Sequence, residues 1–220
     1  MLFRSRFQTG VDTRRFRPPL PGEKGALRRL WGLPEDARVV LHVGHLVPSR
    51  NLSVMAELTR LDGVLPVMLA SRRREPGSAA LEDRLRSAGV VIFTGYRPEV
   101  EQLYRLADCY LFPVTSPMGA IAMPLSVLEA LASDLPVAST PFGVLPELFQ
   151  SATGIRFASG AEGLVCAVEE LLARPCSTRE VALPFSWETA IGGILERAGI
   201  AGGSPGPTND SLANRRPSAP

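Results

Sequence analysis

Short runs of apolar, β-branched residues alternate with segments of helical period along most of the chain, and this alternation restricts the fold more than any single residue does. Residues 38–43, 65–71, 90–94, the run opening at Tyr110, 135–140 and 154–157 read as strands. Helical segments fall between them at 24–31, from Asn51, at 79–88, at 98–106, from Pro124, at 161–172 and from Ser186. The strand runs are predominantly apolar and show no strict alternation with polar residues, which predicts a parallel sheet covered on both faces. The expected fold is therefore α/β, a Rossmann-like doubly wound parallel sheet. Such sheets meet ligands at the carboxyl ends of their strands, so the first turn, Gly44-His45-Leu46 and onward to Arg50, is a candidate binding loop. No Gly-x-Gly-x-x-Gly fingerprint follows the first strand, and a nicotinamide-dependent dehydrogenase is set aside.

The stretch 110–147 carries most of the functional information. Pro124 is preorganised for a first helical turn, and Leu125, Leu128, Leu131 and Ala132 then fall on one arc that predicts the buried stripe. Glu129 lies at the edge of that arc and is the only charge between Asp108 and Asp134. A partly buried carboxylate costs free energy unless something satisfies it. Two partners suit it: the hydroxyl groups of a ligand, or an arginine on the protein surface. Downstream, 143–147 leads into a helix N-terminus, where N–H groups and the helix dipole favour an anion. Arg50 is able to fork two phosphate oxygens, whereas His45 adds a cation only when protonated; the alternative is a solvated Arg50 and a hydrogen-bonded loop His45. The triplet Arg72-Arg73-Arg74 after the second strand reads as a solvated loop before an anion-binding rim.

Several ordered motifs point to one family. The helix Leu128-Glu129-Ala130, the strand Leu135-Pro136-Val137 and the loop Gly143-Val144-Leu145-Pro146-Glu147 resemble the donor-binding core of family-4 glycosyltransferases of the GT-B fold. So do the connector Gly10-Val11-Asp12 with Phe16-Arg17-Pro18, the pairs Gly95-Tyr96 and Ala107-Asp108, and the terminal Phe185-Ser186-Trp187. The resemblance runs over residues 10–199. It implies the C-terminal half of a GT-B enzyme that moves a sugar, with retention, from a nucleoside diphosphate sugar to an acceptor. By the same resemblance Glu129 holds the ribose, Arg50, His45 and Gly44 meet the diphosphate, and Tyr96 lies by the base. Backbone groups of Gly119, Ala120 and Ile121, and of Gly143 and Val144, would hold sugar and phosphates. No metal or organic cofactor is implied; the nucleoside diphosphate sugar is the donor substrate.

Two departures from the family pattern qualify this. The family's second glutamate, expected near Gly119, is missing, since residues 109–128 contain no acid. The connector normally follows an acceptor domain, and almost nothing precedes it here, so the acceptor side is expected from a separate polypeptide. The alternative is a non-catalytic nucleotide-sugar-binding or scaffolding subunit, or a truncated remnant.

Composition bounds the rest. A formal charge of +2 gives no reason to expect nucleic acid or a membrane surface as partner. Cys109, Cys166 and Cys176 have no paired metal-ligand spacing with His42 and His45, and an odd cysteine count suits a reducing compartment. The N-terminus lacks the apolar core of a secretory signal, and prolines interrupt the uncharged run 110–128, so no membrane span and a cytoplasmic location are expected. Residues 1–22 read as a connector remnant, 23–200 as the nucleotide-sugar-binding domain, and the Gly/Pro/Ser-rich 201–220 as a disordered tail.

Overall fold

The structure, a computed structural model, describes residues 9–117, 120–149, 154–174 and 176–197; Gly119 and the tail 201–220 lie outside them. In chain order the elements are α1 (Glu23–Leu30), β1 (Arg38–Gly44), α2 (Val54–Leu58), β2 (Val64–Ala70), α3 (Ser78–Ser87), β3 (Val91–Thr94), α4 (Val100–Leu106) and β4 (Cys109–Phe112). There follow α5 (Leu125–Ala132), β5 (Val137–Ser139), α6 (Leu145–Phe149), β6 (Ile155–Phe157), α7 (Gly160–Ala173), α8 (Arg179–Ala182) and α9 (Trp187–Arg197). The six strands form one sheet in the order β3-β2-β1-β4-β5-β6, and each neighbouring pair is parallel. The chain runs outward from β1 to β3, returns to the middle at β4 and runs out the other way. The strand order therefore reverses between β1 and β4.

Apolar strands are what a two-faced sheet requires, because successive side chains point to opposite faces and both faces are covered. Val39 and Leu41 pack with Val67, Tyr110 and the α5 residues Val127 and Leu128 on one side. Val40 packs with Met68, Leu111 and the α7 residues Leu164 and Val168 on the other. At the amino end of the strands Asp108 is surrounded by donors. Arg28 Nη2 reaches it at 2.5 Å, Lys24 Nζ at 2.9 Å and the Val39 N–H at 2.7 Å. Arg28 also donates to the carbonyls of Leu106 and Glu35, so α1, β1 and the start of β4 are tied together.

Two local expectations need correction. Asn51 does not cap a helix: a short 3-10 turn covers Pro48–Arg50, Asn51 takes a left-handed φ of 56°, and α2 begins at Val54. Its side-chain amide instead donates to the Pro113 carbonyl at 3.2 Å, joining the turn after β1 to the segment after β4. Leu125 is 40% exposed and leaves the buried stripe of α5, its place taken by Val127 and Ala130. Pro124 stands at the cap position, so Leu125 is the first helical residue and faces outward.

The segment 9–22 is packed into the same body, with Val11 and Phe16 buried. Val11 pairs with Ser186, and Arg179 donates to the carbonyls of Thr13 and Phe16 at 2.8 and 3.0 Å. Ser186 caps α9 as expected, accepting from the Thr189 N–H at 3.1 Å. Among the described residues no helix is long and apolar enough to cross a membrane.

Candidate functional site

The reversal of strand order leaves an opening over the carboxyl ends of β1 and β4, where the covering connections diverge to opposite sides. A cleft of about 690 Å³ lies at this end, against the ends of β1, β2 and β3. Gly44, His45, Ser71, Tyr96, Arg97 and Glu129 are among the residues that line it. Tyr96 is 82% exposed at its edge, available to a flat ligand group.

Glu129 enters the cleft wall from α5. Tyr104 on α4 donates its hydroxyl to Glu129 Oε2 at 2.6 Å, and Glu129 makes no ion pair among the described residues. Burial pushes its pKa up, while the Tyr104 hydrogen bond and the charge of Arg15 pull it down without cancelling that effect. A carboxylate held in this way has one oxygen engaged by the protein and retains acceptor capacity toward the cleft.

Behind the first turn stand two groups with unused polar atoms. His42 is fully buried, and its Nδ1 lies 2.9 Å from the Leu111 carbonyl, an acceptor only, so Nδ1 carries the proton and Nε2 is bare. Burial pushes the His42 pKa down to about 4, with the hydrogen bond to Leu111 opposing and the charge of Arg50 adding to the fall. Nε2 has no partner. Arg50 is 9% exposed and forms no ion pair among the described residues; its Nε is likewise unpartnered. Its guanidinium lies against Gly44, where a Cβ would collide with it, which explains the glycine at the end of β1. Burial lowers the Arg50 pKa; Tyr110 opposes it, and Arg73 adds a smaller lowering.

His45 is hydrogen-bonded through Nδ1 to Ser71 Oγ at 2.5 Å. Burial and the charges of Arg50 and Arg73 lower its pKa, which favours the neutral ring and makes it a hydrogen-bonding group of the cleft before a cation. The loops on the far side of the opening engage each other. Gly143 has a φ of 56° and sits over Ala122, whose carbonyl a Cβ would strike. The Val144 N–H donates to that carbonyl at 3.1 Å and the Leu145 N–H to Phe142 at 3.1 Å, so neither of these N–H groups points freely at an anion. Ala120 packs on the core, and Ile121 is 61% exposed.

Residues 37–174, more than half of the chain, match the family model of the glycosyl transferases group 1. The chain belongs to this family. Among curated relatives, it is 29% identical over 209 residues to D-inositol 3-phosphate glycosyltransferase of Mycobacteroides abscessus, covering 87% of this chain and 45% of the relative. It is 28% identical over 179 residues to the sulfoquinovosyl transferase SQD2 of Arabidopsis thaliana, covering 78% and 33%. The chain thus spans less than half the length of either relative. A glycosyltransferase from Rickettsia africae superposes with a TM-score of 0.73 at 16% identity, over 87% of this chain and 55% of that one. Anabaena HepE, solved with UDP and glucose, superposes at 0.69 and 16% identity over 86% and 55%. The fold is that of the C-terminal half of a GT-B glycosyltransferase.

Within this group 1 glycosyltransferase domain, the cleft gathers Gly44, His45, Tyr96 and Glu129 from four separated positions of the sequence. Arg50 stands behind Gly44 instead of on the cleft wall, and Ala120, Ile121, Gly143 and Val144 belong to the neighbouring pair of loops. Tyr104, Tyr110 and His42 were not predicted as site residues. Tyr110 and His42 show in the sequence only as polar rings in largely apolar strands, and Tyr104 as one ring among the polar residues of α4, so none of them identifies a partner until the strands are ordered.

Proposed function

We propose that this domain binds the nucleoside diphosphate of a sugar donor and serves as the donor half of a glycosyltransferase, with the acceptor held by another domain or a separate polypeptide. The observation that carries the reading is Glu129, a half-buried carboxylate on a cleft wall with a single phenolic donor and no ion pair among the described residues. Ribose hydroxyls would satisfy its remaining acceptor capacity. The diphosphate would lie over the Gly44 turn, with Arg50 offsetting its charge from behind and His45 donating a hydrogen bond. The base would rest by Tyr96, and the sugar would reach the loop 116–121. In a retaining transfer the bond between sugar carbon and diphosphate oxygen breaks, and charge builds on the leaving diphosphate. Fixed positive and N–H groups around that position would stabilise it.

One observation favours a second reading, a non-catalytic nucleotide-sugar-binding module. Residues 109–128 supply no second carboxylate toward the sugar. Calorimetric titration of the purified chain with UDP and GDP, beside Glu129→Ala, tests the binding step that both readings share. Saturable binding that weakens by about 1.5–3 kcal/mol in the variant, the usual contribution of a hydrogen bond to a charged group, is expected. Absence of binding by the folded chain would overturn the proposal. Sugar transfer from a bound donor, on adding an acceptor domain of a family member, separates the enzyme from the binding module.

A further inference from the structure

Glu129 is held from inside the core, by a residue that is itself fixed on two sides. Tyr104 is fully buried on α4. Its ring meets Phe16 of the segment before α1 edge to face, with centroids 5.4 Å apart, and stacks on Tyr110 of β4 at 5.7 Å. Tyr110 is anchored in turn, its hydroxyl lying 3.4 Å from the Val43 carbonyl at the end of β1. A ring packed in this way has little freedom, so the position of its hydroxyl is set by the sheet and by the connector. That hydroxyl holds Glu129 Oε2 at 2.6 Å.

Glutamate has three rotatable side-chain bonds, and one without a cation to fix it would sample several rotamers. We propose that Tyr104 is a positioning residue for Glu129: it fixes one carboxylate oxygen so that the other faces the ribose hydroxyls of the bound nucleoside diphosphate, and Phe16 sets Tyr104. The inference rests on the donor-site reading above and deepens it to a requirement for a ribose with free hydroxyls. A phenylalanine at position 104 would fill the same space yet leave Oε2 without a donor in a site from which water is largely removed. The titratable and charged groups that bear on Glu129 are Tyr104, Tyr110 and Arg15. The first of these touches it.

The test pairs Tyr104→Phe, which keeps the ring and its packing, with two ligands, UDP and 2′,3′-dideoxy-UDP, and repeats both with the guanine nucleotides. Affinity for the ribonucleotide is expected to fall about tenfold or more, the loss of one hydrogen bond to a charged group, while affinity for the dideoxy form stays within twofold. In a Glu129→Ala background the Tyr104→Phe change is expected to have no further effect on either ligand. Carboxylate NMR of the free protein should show Glu129 titrating at higher pH in Tyr104→Phe, since the hydrogen bond that favours its ionised form is gone. Equal losses for ribo and dideoxy ligands would mean that Tyr104 only supports the fold, and would overturn the positioning role. An unchanged ribonucleotide affinity in Tyr104→Phe would overturn it too, with the donor site left standing. Failure of the wild-type chain to bind UDP or GDP would overturn the donor-site reading and this role with it.

Discussion

The two ends of the sheet use the same kinds of residue to opposite effect. At the amino end, Asp108 accepts from Arg28, Lys24 and the Val39 N–H, and Arg28 donates to two carbonyls besides. At the carboxyl end, Glu129 has one phenolic donor, and among the described residues Arg50 has no carboxylate and His42 Nε2 no hydrogen-bond partner. Both ends bury charge, and burial without partners costs free energy. Where the cost is met by other protein groups, the residues hold the fold together. Where it is left open, the cleft beside Gly44 and Glu129 gives an external partner access to the unmet groups.

The contrast is sharpened by substituting matching residues at the two ends. Arg28→Met removes the closest cation of Asp108 together with the donor to the Leu106 and Glu35 carbonyls, and is expected to cost about 3–5 kcal/mol of unfolding free energy in urea, the sum of those lost hydrogen bonds. The folded fraction should bind UDP as before. The next effect is acid sensitivity. The His42 pKa is about 4 in the folded state against an ordinary 6.5, so the unfolded chain takes up the proton first and stability falls as pH drops from 6.5 to 4. The loss attributable to His42 is roughly 3 kcal/mol, measured as the difference between urea curves of wild type and His42→Asn at pH 7 and pH 4.

Arg50→Met is the mirror of Arg28→Met. It should leave stability unchanged or raise it, because no protein carboxylate is orphaned, and should weaken UDP binding by about 1.5–3 kcal/mol in calorimetry. A stability loss like that of Arg28→Met would erase the distinction between the two ends. The smallest effect is that of Glu129→Gln on stability. The folded pKa of Glu129 is raised, so at neutral pH its ionised form disfavours the fold, and that penalty fades as pH falls through the raised value. The neutral amide should therefore raise Tm slightly in calorimetric scans, by the same substitution that weakens nucleotide binding.

Much of this was legible in the sequence, for physical reasons that differ by residue. The predominantly apolar strands and the prolines that punctuate them identified the doubly wound fold, because a two-faced sheet tolerates little else. Glu129 was legible as a lone charge in an apolar stretch. Asn51 misled, since a residue suited to capping a helix is equally suited to a left-handed turn, and the Pro48 turn upstream selects the second. The Val144 N–H looked available to an anion because its acceptor, the Ala122 carbonyl, is supplied by a different loop. Tyr104 and His42 were illegible as site residues for the same reason: their roles depend on contacts to Glu129 and Leu111, which local periodicity does not encode.

The most direct test of the central claim maps amide chemical shifts while UDP or GDP is added to isotopically labelled protein. Perturbations confined to Gly44, His45, Tyr96, Glu129 and their neighbours, with the amides around Arg28 and Asp108 unmoved, are the predicted result. Saturable shifts centred on the amino end of the sheet, or none at any residue, would contradict the assignment of the carboxyl end as the nucleotide site.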